Sequence, residues 1–76
     1  MRNIVTLLPM ENYQLFVTFD NGIEKKFDLK PYLNLPVFSK LKDISVFNNV
    51  KNCGYFIEWQ GHEIDLSADT LWHEGK

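Results

Sequence analysis

The sequence predicts a small α+β domain: an antiparallel β-sheet with short helices packed on one face. Three observations carry that expectation. Apolar and polar residues alternate on both sides of Asn21-Gly22, an apolar residue recurs every three positions after Pro36, and a second set of short β-prone runs begins at Val50. Strand-like and helix-like segments are therefore segregated, in the order β-β-β, short helices, β-β-β and a terminal helical turn, which suits an antiparallel α+β fold.

Residues 3–9 are rich in aliphatic and β-branched side chains and end at Pro9, which predicts a first strand. Tyr13, Leu15, Val17 and Phe19 alternate with Gln14, Phe16, Thr18 and Asp20, the period-two pattern of a half-buried strand. Beyond Asn21-Gly22, Ile23, Phe27 and Leu29 continue the apolar face, with Lys25 as its one polar member. The register of this hairpin follows from the pattern. A two-residue Asn21-Gly22 loop would set Phe19 opposite Glu24 and place apolar residues against charged ones. A three-residue loop, Asp20-Asn21-Gly22, pairs Phe19 with Ile23, Leu15 with Phe27 and Tyr13 with Leu29. A one-residue slip moves a whole side-chain set to the wrong face, so the second register is expected. Gly22 then takes the left-handed position of a bulged turn.

Pro31 and Pro36 end strand character. Phe38, Leu41, Ile44 and Phe47 form an apolar stripe, with Asp43 as an N-cap within it, so two short helices are expected over about 37–41 and 44–48. Their stripe should lie on the apolar face of the hairpin. Val50–Asn52 and Tyr55–Trp59 read as strands flanking a turn at Cys53-Gly54. Gln60-Gly61 reverses the chain into Glu63–Leu66, and Ser67 caps a last helical turn over Ala68–Trp72.

The totals bound what such a chain can do. Its 76 residues suffice for one domain, spanning 1–76, whose core relies on eleven aromatics within a 45% hydrophobic composition. Each aromatic buries roughly 150–250 Å² when fully packed. Cys53 is the single cysteine, so no internal disulfide is expected. Neither a secretory leader nor a run of about 20 apolar residues is visible, which predicts a cytoplasmic protein that does not enter membranes. Ten acidic against eight basic residues give a net charge of −2, and Arg2 is the lone arginine. Direct nucleic-acid binding, which draws on phosphate neutralisation, is disfavoured.

Catalytic and metal chemistry find little support. His62, Glu63 and Asp65 are close in sequence, but a strand would split them between two faces, and adding His73 requires a separate tertiary contact. Cys53 sits in a predicted turn with only Lys51 nearby to lower its pKa, so it reads as a small hydrophobe. Asp20, Asp28, Asp43 and Asp69 each suit a turn or a cap. The four glycines are isolated and build no phosphate loop. No enzyme, no cofactor and no metal are expected.

The aromatics carry more signal. Phe16 and Phe56 fall on the polar phase of their strands, and together with Trp59 and Trp72 they are the candidate partner-binding residues. The competing structural reading, favoured for so small a domain, is that the first strand covers them with Ile4 and Leu8 in a second small core. A stacking platform for single-stranded nucleic acid would want more positive charge.

Phe19-Asp20-Asn21-Gly22, Phe27-Asp28-Leu29, Val37-Phe38, Leu41-Lys42-Asp43 and Phe47 resemble a small bacterial domain-of-unknown-function family, number 2442. So do Trp59, Gly61, Asp65-Leu66 and Asp69-Thr70-Leu71 at the end of the chain. The chain departs from the family pattern with Ala68 where proline is common and with His62-Glu63-Ile64 inserted before Asp65. The resemblance implies no catalytic or binding residues. It does imply a small protein, often encoded beside another small protein in an antitoxin-like arrangement, and in some members fused to a helix-turn-helix domain. The expected function is a protein-interaction module whose partner is a small protein encoded nearby or a second copy of the chain. A nucleic-acid accessory domain is the alternative, and an enzyme or metal-binding protein stands behind it.

Overall fold

The computed structural model describes residues 2–76. Six antiparallel strands divide into two three-stranded sheets, with short helices between and after them. The first sheet contains β1 (Ile4–Met10), β2 (Gln14–Phe19) and β3 (Glu24–Asp28) in that order. The second contains β4 (Lys51–Asn52), β5 (Phe56–Trp59) and β6 (Ile64–Ser67). The α+β class is as expected, but the strands do not form one continuous sheet. They meet at a corner, where the Ile4 N–H donates to the Gly54 carbonyl at 2.8 Å and Asn52 Nδ2 donates to the Ile4 carbonyl at 2.8 Å. There a side-chain amide replaces a regular ladder bond.

The predicted hairpin register holds. Leu15 faces Phe27, the Phe19 N–H donates to the Ile23 carbonyl and the Leu29 N–H donates to the Tyr13 carbonyl. Gly22 has φ +86°, the left-handed conformation the bulged turn needs. Lys25, the odd polar residue on the apolar face, finds its partner at the far end of the chain: its ammonium donates to the Trp72 carbonyl at 2.6 Å and lies 4.4 Å from the centre of the Trp72 ring.

β1 runs through Pro9 instead of stopping there. The bonds from Phe19 and Tyr13 show that odd-numbered β2 residues point their backbone groups at β3, so Thr18, Phe16 and Gln14 point theirs at Thr6, Leu8 and Met10. Leu7 and Pro9 therefore face the open edge, where a missing N–H costs no ladder bond. Between β1 and β2, Asn12 and Tyr13 both adopt left-handed φ (60° and 59°), an unusual pairing for non-glycine residues. Tyr13 keeps its side chain on the core side. Its ring meets Phe47 edge-on at 5.4 Å, and its hydroxyl donates to the Lys42 carbonyl.

The helical region is a 3-10 segment, Pro36–Lys42, followed by α1 (Ile44–Phe47). Asp43 caps α1 as expected, its carboxylate accepting from the Ser45 N–H at 3.0 Å and the Ser45 hydroxyl at 2.7 Å. The four-residue apolar stripe needs correction. Leu41 and Phe47 are buried and Phe38 packs against the core, but Ile44 is 48% exposed. Three residues per turn stack Phe38 above Leu41. The extended backbone at Asp43 (ψ 115°) then breaks the phase, so Ile44 opens a new helix on the other side.

The final helix, α2 (Ala68–Glu74), is longer than the predicted turn, and the Ser67 hydroxyl accepts from the Thr70 N–H at its start. Leu15, Val17, Phe19, Phe27, Ile57, Trp59 and Ile64 from the two sheets join Leu41, Phe47 and Leu71 in one buried cluster. No polar or charged residue is buried with them among the described residues.

Candidate functional site

The outer face of the first sheet is the side chains left over when the alternation of β2 sends Leu15, Val17 and Phe19 inward. Phe16 stands at its centre, with Leu8 opposite on β1 and Lys26 opposite on β3. One row further, Met10 pairs with Gln14. Leu8 and Met10 are 53% and 43% exposed, and Phe16 is half-buried. An open groove of about 790 Å³ leads from Met10, Gln14 and Lys26 past Glu11 and Asn12 to Ile44 and Asn48.

The other three candidate aromatics lie elsewhere. Phe56 belongs to the outer face of the second sheet, next to Ser67 on β6, and is 39% exposed. Cys53 lies opposite it, its N–H donating to the Phe56 carbonyl at 2.9 Å, and the rest of that face is Lys51, Glu58 and Asp65, so Phe56 has no large apolar neighbour across the strands. Trp59 is 1% exposed, and its indole N–H donates to the Phe47 carbonyl at 2.9 Å. It belongs to the core and offers no surface, which corrects its place beside a patch. Trp72 packs edge-on against Phe19 at 5.1 Å and carries two cations on its ring, Arg2 at 4.5 Å and Lys25 at 4.4 Å. Arg2 is also ion-paired to Asp69 at 2.8 Å, which ties the start of the chain to α2. The four residues therefore do not converge.

The expected second core is not formed either. Leu8 does sit beside Phe16, but both reach solvent, while Ile4 is buried in the main core. Reasoning from the sequence missed Met10 and Ile44, which extend the apolar surface. The signal for Met10 was its two-residue spacing from Leu8. Ile44 carried no such signal, because its exposure depends on the break at Asp43.

The titratable groups are dispersed. Burial pushes the Cys53 thiol above its ordinary pKa, and the nearby Glu58 carboxylate adds to the shift. Such a thiol is a poor nucleophile at neutral pH. Hydrogen bonds from Ser45 hold the Asp43 carboxyl below the usual aspartate range, as an N-cap should. His62 and Glu63 lie in the turn between β5 and β6, and Glu63 itself has φ 57°. Among the described residues no group of three or more His, Cys, Asp or Glu side chains is placed to hold a metal ion. No helix among them is long and apolar enough to cross a membrane.

Comparison with curated proteins and with solved structures gave no match. Residues 4–76 match the model of the family described as "Protein of unknown function (DUF2442)". With nearly its whole length covered, the chain belongs to the DUF2442 family.

Proposed function

We propose that this protein is a small, non-catalytic interaction module of the cytoplasm, acting as the antitoxin-like partner of a small protein encoded nearby. The observation that carries the reading is the uncovered apolar row Leu8–Phe16–Met10, on a sheet whose other face already supplies the core. A chain this small gains stability from every apolar contact, so Leu8 and Met10 left in water beside a half-buried Phe16 point to a use outside the fold. Phe16 is the centre of the surface. Phe56 and Trp72 lie apart from it and contribute less.

The test is co-expression of the tagged protein with the product of the adjacent gene, comparing the natural sequence with Phe16→Asp and Phe56→Asp. A stoichiometric complex that Phe16→Asp abolishes and Phe56→Asp leaves intact supports the reading. A complex insensitive to Phe16, or no complex at all, sinks it.

A further inference from the structure

We infer that the tip of the first hairpin is a self-modification site, where Asn21 cyclises onto the Gly22 nitrogen and becomes aspartate and isoaspartate at a rate set by fraying of the tip. The site lies apart from the apolar row of the first sheet and does not depend on the role of that row.

The local sequence suits the reaction. Asn21 is the one asparagine of the chain that is followed by glycine. A side chain on the following residue shields its backbone nitrogen, and Gly22 has none. Asp20, Asn21, Gly22, Ile23 and Glu24 are all exposed, and nothing lies within 4 Å of where a Gly22 Cβ would stand. Water and base therefore reach the turn freely.

Two hydrogen bonds at the tip act in opposite senses. The Ile23 N–H donates to Asn21 Oδ1 at 3.0 Å. Such an Asx turn folds the side chain over the next peptide, so Asn21 Cγ is kept beside the Gly22 nitrogen and its carbonyl is polarised for attack. The Gly22 N–H, however, donates to the Phe19 carbonyl at 2.9 Å. An amide nitrogen attacks after losing its proton, and this bond holds the proton in place. The electrophile is positioned while the nucleophile is withheld. Breaking the bond to Phe19 releases it, and exposed loop tips are where such opening costs least.

The chemistry needs only base and water. Base takes the Gly22 N–H proton, the nitrogen bonds to Asn21 Cγ, and the Cγ–Nδ2 bond breaks as ammonia leaves. Water then opens the succinimide. Opening at Cγ leaves aspartate, and opening at the main-chain carbonyl leaves isoaspartate. Either product makes the net charge of −2 one unit more negative and sets a new carboxylate between Asp20 and Glu24. Isoaspartate also adds a carbon to the main chain of the loop, so the Phe19–Ile23 register cannot close as before.

The experiment incubates the folded protein in mildly alkaline buffer beside a peptide of residues 17–25, the open reference. Mass spectrometry of the tryptic fragment 3–25, with electron-based fragmentation, follows the products. Asn3 and Asn12, followed by Ile4 and Tyr13, are controls in the same fragment. Both products are expected at position 21, on the order of tenfold more slowly than in the peptide, the weight of roughly one backbone hydrogen bond. Gly22→Ala should slow the reaction although it loosens the turn. Ser67→Ala removes the α2 cap and raises the unfolded population about fivefold, yet it should leave the rate unchanged. In the purified isoaspartate form, the amide NMR signals of Phe19 and Ile23 should leave their native positions. A rate equal to the peptide's would show that the Phe19 bond withholds nothing and would overturn the inference. So would a rate about a thousandfold below the peptide's, or one that rises in Ser67→Ala, since either assigns the reaction to global unfolding. Aspartate without isoaspartate, or equal conversion at Asn12, would rule out the cyclic route.

Discussion

The two sheets share one core and differ on their outer faces. The first presents Leu8, Phe16 and Met10 together, and the second presents Phe56 among Lys51, Glu58 and Asp65. Phe16 and Phe56 occupy the same off-phase position in their strands, yet one heads an apolar row and the other stands alone. The difference lies in the adjacent strands. β1 supplies aliphatic neighbours to Phe16, while Phe56 has only the small Cys53 and Ser67 across from it, with charged side chains beyond. An off-phase aromatic is informative only through its cross-strand partners.

Breaking the second sheet should cost most, because its inner face carries Trp59. Trp59→Ala is expected to destabilise the protein by about 3–5 kcal/mol, measured by urea unfolding. Trp59→Phe should cost less, though more than its small volume change suggests, since it leaves the Phe47 carbonyl without its donor. A loss under 1 kcal/mol in the alanine variant would show that the second sheet is not integral to the core.

The turns sharpen the comparison. Gly54 (φ +87°) and Gly22 (φ +86°) share a left-handed conformation, but a Cβ on Gly54 would lie 2.8 Å from Asn3 Oδ1 whereas one on Gly22 meets open space. Gly22→Ala should therefore cost about 1 kcal/mol. Gly54→Ala should cost more, because it also disturbs the corner that joins the sheets. Equal losses would argue that Asn3 swings away freely.

Capping effects are smaller. Ser67→Ala should remove about 1 kcal/mol from α2. For Asp43 the prediction concerns pH. Its folded-state pKa is depressed by Ser45, so its cap contribution is present above the ordinary aspartate pKa of about 3.9 and is lost as pH falls through the lowered value. The difference in thermal midpoint between the natural protein and Asp43→Ala should hold from neutral pH down to about pH 4 and close below it. A gap that persists in strong acid would show that the protonated side chain caps α1 as well as the carboxylate does.

The outer faces themselves should matter least to folding. Phe16→Asp is expected to shift stability by about 1 kcal/mol or less, while removing the partner. Phe56→Asp should change neither much. The Cys53 thiol, its pKa raised by burial and Glu58, should alkylate more slowly than glutathione at neutral pH. Fast labelling would reopen it as a reactive group.

Local chemistry was legible wherever the chain decides structure among near neighbours. The alternation around Asn21-Gly22 determined the hairpin register, Gly22 its turn, and Asp43 and Ser67 their helix starts, because each depends on residues within a few positions. Family membership was legible for the same reason, carried by those punctuating residues. The tertiary structure alone decided the division into two sheets, which turns on the Ile4 and Asn52 bonds about fifty residues apart. It alone buried Trp59, brought Lys25 to Trp72, and left Leu8, Met10 and Ile44 in solvent. Periodicity tells which side chains share a face. Only the packing of distant segments determines which face is covered, since that choice is made by long-range contacts that leave no mark on local spacing.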